Sequence, residues 1–146
     1  MHAKGSPKTM QISPTYQNVV EEVRAFFDSK KDDLIQRQLP RIWIDPGIGF
    51  GKTLEHNLVI MRNLSMFKEE EWGLFLGSSR KSWIDQLCNA PTPSDRLGGS
   101  IASALASILH GVEIIRVHDV QETAQAILVA KDCLLYTSPS PRDVEE

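Results

Sequence analysis

Apolar residues recur along the chain with two different periods, and the change from one period to the other predicts alternating helices and strands. Spacings of three and four residues predict amphipathic helices. Short β-branched or aromatic runs that end at glycine or proline predict buried strands. Helices are predicted over residues 16–27, 56–66, 82–87, 94–111 and 120–132, and strands over residues 41–45, 74–77 and 113–118.

The last two long helices carry the clearest end signals. Ser94 is a predicted N-cap, and Gly111 is the predicted C-terminal cap of the same helix. The final helix is predicted to turn Ala124, Ile127 and Leu128 inward. One apolar face of the helix before it is formed by Leu97, Ile101, Ala104, Leu105 and Ile108.

Alternating strands and helices predict parallel strands joined by right-handed crossovers. The predicted strand ends Asp45, Ser79 and His118 lie about 35–40 residues apart, close to the roughly 30 residues per βα unit of a TIM barrel. The fold class is therefore α/β, with a spacing that suits part of a barrel.

Composition narrows the class of protein. The chain has 146 residues, 41% of them hydrophobic and 24% charged, with a formal net charge of -3. This charge gives no reason to expect nucleic acid binding, and no apolar run reaches the roughly 20 residues of a membrane helix. Cys88 and Cys133 have no metal-ligand spacing, and we expect reduced, buried thiols in a cytoplasmic protein.

Polar residues gather at the carboxyl ends of the predicted strands, where α/β barrels place their active sites. Because side chains alternate along a strand, Arg116 and His118 should share one face. Two such groups suit an anionic ligand. The alternative is that Arg116 forms an ion pair with Asp119 or a neighbouring carboxylate.

Two further residues each allow two interpretations. Asp45 precedes Pro46-Gly47, so it could cap the loop by accepting backbone N–H groups, or it could bind the paired N–H groups of an amino-heterocycle. Lys81 could be a solvated surface lysine, or it could contact a ligand from the strand-to-helix junction.

The segment GIGFGKT imitates a phosphate-binding P-loop but lacks an essential glycine. That pattern requires glycine five positions before Gly51, and Pro46 stands there. The spacing of its glycines does not fit the dinucleotide-binding fingerprint either. The glycines instead predict a tight loop that passes close to a flat ligand.

Several segments, in this order and at compatible spacing, together resemble the dihydropteroate synthase family over residues 1–133. They are MHAKGSPKTMQ, DPGIGFGKTLEHN, GSSRKS, RLGGSIAS and IIRVHDV. The resemblance implies a TIM barrel of which this chain is the C-terminal half, about the last four βα units. It also implies condensation of 6-hydroxymethyl-7,8-dihydropterin pyrophosphate with para-aminobenzoate.

The resemblance also implies roles for individual residues, with Lys81, Arg116 and His118 as the catalytic group. Pterin would be bound by Asp45, Lys81 and Arg116, pyrophosphate by Arg116 and His118, and para-aminobenzoate in a pocket lined by Phe50, Ser79 and Ser82. Sulfonamides would compete at that pocket. Magnesium would bind through the missing half and the substrate pyrophosphate, and the full-length enzyme would be a homodimer.

The chain is expected to begin at the end of the fifth barrel strand, and its own activity is expected to depend on the absent strands. Residues 134–146 are expected to form an unstructured tail of linker origin. Two alternatives remain: another pterin-binding barrel, such as a methyltetrahydrofolate methyltransferase, and a non-catalytic half-barrel subunit.

Overall fold

Three parallel strands and five α-helices alternate along the chain in the computed structural model, which describes residues 1–135. The order of elements confirms the predicted alternation and the α/β class. The strands are β1 (Trp43–Ile44), β2 (Gly73–Leu76) and β3 (Ile114–Ile115). The helices are α1 (Val19–Gln36), α2 (Leu54–Arg62), α3 (Ser82–Cys88), α4 (Leu97–Leu109) and α5 (Val120–Ala130).

The strands form one sheet in the order β1-β2-β3, so each strand lies beside its neighbour along the chain. Trp43 pairs with Gly73, and Phe75 pairs with Ile114. Strands β1 and β3 are shorter than predicted, whereas β2 has the predicted length and starts one residue earlier. Backbone bonds continue the pairing at both sides of β2. The Arg116 N–H donates to the Leu76 carbonyl at 2.9 Å. All three carboxyl ends therefore lie at one edge of the sheet.

Helix α1 extends well beyond the predicted residue 27. The Asn18 side chain caps it by accepting the Glu21 N–H at 3.2 Å. Val20, Val23 and Phe27 are buried, which confirms the predicted apolar face. The helix continues to Gln36 because the polar residues that follow contain no glycine or proline before Pro40.

Helix α2 starts earlier and ends earlier than predicted. Thr53 and His56 form a reciprocal cap at its N-terminus, in which each side chain accepts the other residue's backbone N–H. A 3₁₀ helix, Leu64–Phe67, takes the place of the last predicted turn. Leu64 and Phe67 are buried there.

The start of α4 corrects one prediction, and its end confirms another. Ser94 is not the N-cap, because a 3₁₀ helix, Pro93–Arg96, begins after Thr92 and leads directly into α4. Gly111 does cap the C-terminus, with φ of +89°. Its N–H donates to the Ile108 carbonyl at 2.9 Å, which satisfies an otherwise free helix carbonyl.

The most deeply buried face of α4 is small and partly polar. A Cβ on Gly99 would stand 2.4 Å from the Ile84 side chain, so α4 and α3 approach closely at that point. The small side chains on this face permit the close approach. The larger residues of the predicted apolar face of α4, its leucines and isoleucines, are only partly buried. The buried positions are Ser100, Ser103, Ala104 and Ser107.

The predicted inner face of α5 is only partly correct, because Ile127 is the one member of the three that is half-buried. Thr123 is the buried residue, and its hydroxyl donates to the Asp119 carbonyl at 2.7 Å. Ala124 is exposed, and Leu128 is 67% exposed. Helix α5 packs along α4 and turns these apolar positions away from that contact.

The chain after α5 forms a wide π-helical turn, Lys131–Leu135. The expected unstructured tail, residues 134–146, lies outside the described residues from residue 136 onward. No helix within residues 1–135 combines the length and the apolar character needed to cross a membrane.

Two expectations about burial need correction. Cys88 and Cys133 are free thiols, but both are exposed rather than buried. Strand β1 is buried on one side only, since Ile44 is enclosed while Trp43 is 40% exposed. The main core lies between the sheet and the helices, and its fully enclosed members include Val23, Ile48, Ile60, Leu64, Leu74 and Leu76.

Candidate functional site at the carboxyl ends of the strands

Parallel pairing gathers the predicted polar clusters at one edge of the sheet. Asp45 follows β1 directly, Ser79 follows β2 after two residues, and Arg116 follows β3 directly. Asp45 and Arg116 both lie near enough to Lys81 for their charges to shift the pKa of its ammonium. The structure therefore brings together residues that are up to 71 positions apart in the sequence (116 − 45).

Asp45 caps the glycine-rich loop that follows it. One carboxylate oxygen accepts the Gly47 N–H at 2.8 Å, which confirms the loop-capping interpretation. Within residues 1–135, this is the only hydrogen bond to that carboxylate, so its other oxygen remains able to accept one. Burial raises the pKa of Asp45, while the Gly47 N–H and the positive charge of Lys81 oppose that rise.

Three glycines give the loop its shape. Gly47, Gly49 and Gly51 all have positive φ values, between +62° and +80°, which side chains rarely allow. The Gly49 N–H donates to the buried Asn57 side chain at 2.8 Å. A Cβ on Gly47 would stand 1.8 Å from the His2 carbonyl oxygen. The loop thus lies directly against the first residues of the chain.

Lys81 is a half-buried residue rather than a solvated one. Its ammonium donates to the Ile48 carbonyl and lies 4.3 Å from the centroid of the Phe50 ring, a cation–π contact. Burial lowers the pKa of Lys81 to about 8, with Arg116 adding to the effect and Asp45 opposing it. The interpretation of Lys81 as a surface lysine is therefore wrong.

Asp119 forms its ion pair with Arg80 and not with Arg116. The Arg80 guanidinium donates through two nitrogens to the two carboxylate oxygens, with the Nε–Oδ2 distance at 3.0 Å. This contact holds the pKa of Asp119 below its usual range. Among residues 1–135, no carboxylate lies within 4.0 Å of Arg116, so the ion-pair alternative for Arg116 is not what the structure shows.

His118 is oriented by a serine from the neighbouring strand end. The Ser79 hydroxyl lies 3.0 Å from His118 Nδ1 and accepts the His118 backbone N–H at 3.3 Å. Ser79 is buried, whereas Arg116 and His118 are exposed, as expected for side chains on one face. The second ring nitrogen, Nε2, has no hydrogen bond within the described part of the chain.

The three residues predicted to line a para-aminobenzoate pocket lie in different surroundings. Phe50 is half-buried against Lys81, and Ser79 is bonded to His118. Ser82 is exposed at the first position of α3, directly after Lys81.

Two buried basic residues that hold the loops of this site cannot be identified from the sequence pattern. Lys52 is 2% exposed, and its ammonium has three partners: the Gly47 carbonyl at 2.9 Å, the Phe50 carbonyl at 3.0 Å and His2 Nδ1 at 3.1 Å. Arg96 is also buried and donates to three carbonyls, those of Arg80, Ala90 and Pro91.

The sequence signal for Lys52 is its place among the glycines of GIGFGKT, a segment that imitates a P-loop without matching it. Arg96 has no comparable signal, because its hydrogen-bond partners are carbonyl oxygens that a sequence does not distinguish.

The arrangement combines a carboxylate acceptor with adjacent cations. Asp45 can accept N–H groups from a flat, amino-substituted ring. Arg116, Lys81 and His118 can bind a multiply charged anion beside that ring. Within the described residues, no group of three or more His, Cys, Asp or Glu side chains is placed to hold a metal ion.

Comparison with known proteins gives one consistent family. The model of a family described as pterin binding enzymes matches residues 1–118. The dihydropteroate synthase of Neisseria meningitidis serogroup B is 45% identical over 134 residues, which cover 88% of this chain and 47% of that protein. The chain thus spans about half the length of the curated relatives that it matches.

Solved structures agree with this family. The Yersinia pestis dihydropteroate synthase, in a complex with a sulfonamide drug, matches with a TM-score of 0.84 and 38% identity over 90% of this chain and 48% of that chain. The Thermus thermophilus enzyme in complex with 4-aminobenzoate matches with a TM-score of 0.83 and 36% identity, covering 90% of this chain and 53% of that one. The same enzyme was also solved in complex with 6HMPPP.

Proposed function

The chain belongs to the pterin-binding enzyme family, and on that premise we propose that it is the C-terminal half of a dihydropteroate synthase. The half-length match to synthases of 37–45% identity supports this assignment. The same match favours a synthase over a methyltetrahydrofolate methyltransferase.

The described strands would be the last three of a TIM barrel. In such a barrel each strand pairs with its sequence neighbour, and the order β1-β2-β3 has that property. The His2 N–H donates to the Asp45 carbonyl at 2.9 Å, as the end of a preceding strand would. Residues 1–133 would then form the barrel portion, and residues 134–146 a tail outside it.

The proposed reaction joins para-aminobenzoate to 6-hydroxymethyl-7,8-dihydropterin pyrophosphate. The bond from the pterin methylene carbon to oxygen breaks, pyrophosphate leaves with the bonding electrons, and the amine nitrogen then attacks the cationic methylene carbon. The nitrogen then loses a proton. No nucleophile from the protein is needed.

Asp45 would hold the pterin ring through its free carboxylate oxygen. The observation that carries the proposal is that Lys81 lies close enough to both Asp45 and Arg116 for each charge to act on its ammonium, which also contacts Phe50. A ring bound at Asp45 would place its pyrophosphate group toward Arg116 and His118. The positive charge of Arg116 and a hydrogen bond from the His118 ring would stabilise the leaving group as its negative charge grows.

The para-aminobenzoate pocket would lie beside Lys81. The Phe50 ring supplies an apolar wall, and Ser82 supplies a hydroxyl at the start of α3. Ser79 would border this pocket and also orient His118. Sulfonamides would compete there.

Magnesium would bind through the substrate pyrophosphate and through protein ligands in the other half of the barrel. The whole enzyme would act in the cytoplasm as a homodimer, with small-molecule substrates.

The test is pyrophosphate release in the presence of both substrates and magnesium. The chain would be compared with a fusion enzyme, in which the N-terminal half of the Neisseria meningitidis relative precedes Met1. We expect the fusion enzyme to release pyrophosphate, and we expect this release to depend on para-aminobenzoate.

Activity of the chain alone would mean that it assembles a working site without the other strands. Inactivity of a folded fusion enzyme would refute the proposed function. The non-catalytic half-barrel alternative predicts that second outcome.

A further inference from the structure

Lys52 is fully engaged as a hydrogen-bond donor inside the loop after β1. A lysine ammonium has three N–H groups, and the Gly47 carbonyl, the Phe50 carbonyl and His2 Nδ1 accept one each. A buried ammonium is costly unless it is paired in this way. Burial of the Lys52 ammonium is therefore tolerated, because an acceptor lies within hydrogen-bond distance for each of its three N–H groups.

The glycines create the cage of acceptors. Their positive φ values turn the backbone sharply at Gly47, Gly49 and Gly51, so the carbonyls of Gly47 and Phe50 point at one ammonium. A Cβ on Gly47 would come within 3.3 Å of that nitrogen. Without Lys52, the Gly47 carbonyl would still accept the Phe50 N–H at 3.1 Å, but the Phe50 carbonyl would lose the ammonium that ties it to Gly47.

The same loop presents two groups to Lys81. The Ile48 carbonyl, next to Gly47, accepts from the Lys81 ammonium. The Phe50 ring lies 4.3 Å from that ammonium, and the carbonyl of Phe50 is bound by Lys52. Both contacts of Lys81 thus depend on a segment whose backbone Lys52 holds.

We infer that Lys52 is a positioning residue that fixes Phe50 and the Lys81 ammonium, and so sets the affinity of the site for para-aminobenzoate. Lys52 is enclosed by the loop and does not need to touch either substrate. This inference rests on the proposed function, which places para-aminobenzoate beside Phe50 and Lys81.

The first test replaces Lys52 in the fusion enzyme. Lys52→Met keeps an unbranched side chain, one atom shorter than lysine, and removes the donors. The KM for para-aminobenzoate should then rise about tenfold, as expected for a small misplacement of a binding group. The KM for the pterin substrate should change less. Lys52→Gln restores N–H donors and should give an intermediate KM. The matched control is Lys30→Met, an exposed lysine on α1.

A second measurement does not depend on activity. In protein labelled with ¹³C-lysine, the ring current of Phe50 should displace the side-chain resonance of Lys81, and Phe50→Leu identifies that displacement. Lys52→Met should abolish it, Lys52→Gln should reduce it, and Lys30→Met should leave it unchanged.

The outcomes separate the two proposals. An inactive fusion enzyme in which Lys52→Met still abolishes the Lys81 displacement would refute the proposed function and leave the positioning of Lys81 intact. An active enzyme in which Lys52→Met or Lys52→Gln lowers thermal stability, but leaves both the para-aminobenzoate KM and the Lys81 resonance unchanged, would overturn the positioning role. If Lys52→Met does not fold, Lys52→Gln decides by the same two measurements.

Discussion

Arg80 binds the Asp119 carboxylate through two nitrogens, and this pairing leaves Arg116 without a carboxylate partner within residues 1–135. Arg80 itself has a positive φ of +58°, and Arg96 donates to its carbonyl at 2.7 Å. Arg80 and Arg116 thus have different roles. Arg80 ties the loop after β2 to the segment after β3, while Arg116 keeps its charge available for a ligand.

Removing the Arg116 charge should abolish most of the activity. In the fusion enzyme, Arg116→Ala should lower kcat/KM by about 10²–10³-fold, because a placed charge on the leaving group is lost. Arg37→Ala, on the exposed end of the first helix, should have no effect. Steady-state pyrophosphate release measures both, and undiminished turnover by Arg116→Ala would remove Arg116 from the mechanism.

Removing either partner of the Arg80–Asp119 ion pair should lower kcat/KM by a similar factor. Arg80→Ala and Asp119→Asn should each reduce kcat/KM, since His118 directly precedes Asp119. The double variant should lose little more than one single variant, because both remove one interaction. Fully multiplicative losses in this double-mutant cycle would show that the two side chains act separately.

Ser79→Ala should change the hydrogen bonding of the His118 ring as well as the overall stability of the protein. Loss of one hydrogen bond should lower kcat/KM about fivefold. The ¹⁵N resonances of the His118 ring should shift as well, because Nδ1 loses its partner. Ser65→Ala, at an exposed serine, is the control. Unaltered His118 resonances in Ser79→Ala would contradict this relationship.

Acid should destabilise the folded chain through His2. Burial, with the charge of Lys52 beside it, lowers the pKa of His2 from 6.5 to about 4. Between these values the unfolded chain binds more protons than the folded one, so stability falls as the pH falls from 6.5 to about 4. The thermal midpoint should decrease over this range. His2→Asn, which retains an acceptor near the Nδ1 position, should decrease less steeply.

Two glycine-to-alanine changes should have opposite effects on the free energy of unfolding. Gly47→Ala should destabilise the chain by about 2–4 kcal/mol, because its Cβ meets the His2 carbonyl and its φ is +77°. Gly98 lies in α4 with nothing within 4 Å of an added Cβ, so Gly98→Ala should stabilise by about 0.5 kcal/mol. Urea unfolding of the chain measures both. Equal losses at the two positions would argue against the close approach at Gly47.

The sequence by itself determined the alternation of strands and helices and the end of each strand at which polar residues gather. Local patterns suffice for this, because a β-branched run followed by Asp45-Pro46-Gly47 predicts both a strand and its carboxyl end. Gly111 was likewise found as a helix cap, since its requirement for a positive φ is local. The family resemblance then supplied the roles proposed for Lys81, Arg116 and His118.

Only the tertiary structure decided which groups meet. Arg80 and Asp119 are 39 positions apart, and Lys52 and His2 are 50 positions apart. Arg116 lies only three positions before Asp119 in the sequence, yet the folded distances assign the carboxylate to Arg80. The periodicity of α4 and α5 shows that one face of each helix is apolar, but the depth of burial at each position depends on how closely the neighbouring element approaches. At α4 this approach favours serine and alanine, and at α5 it leaves Leu128 exposed.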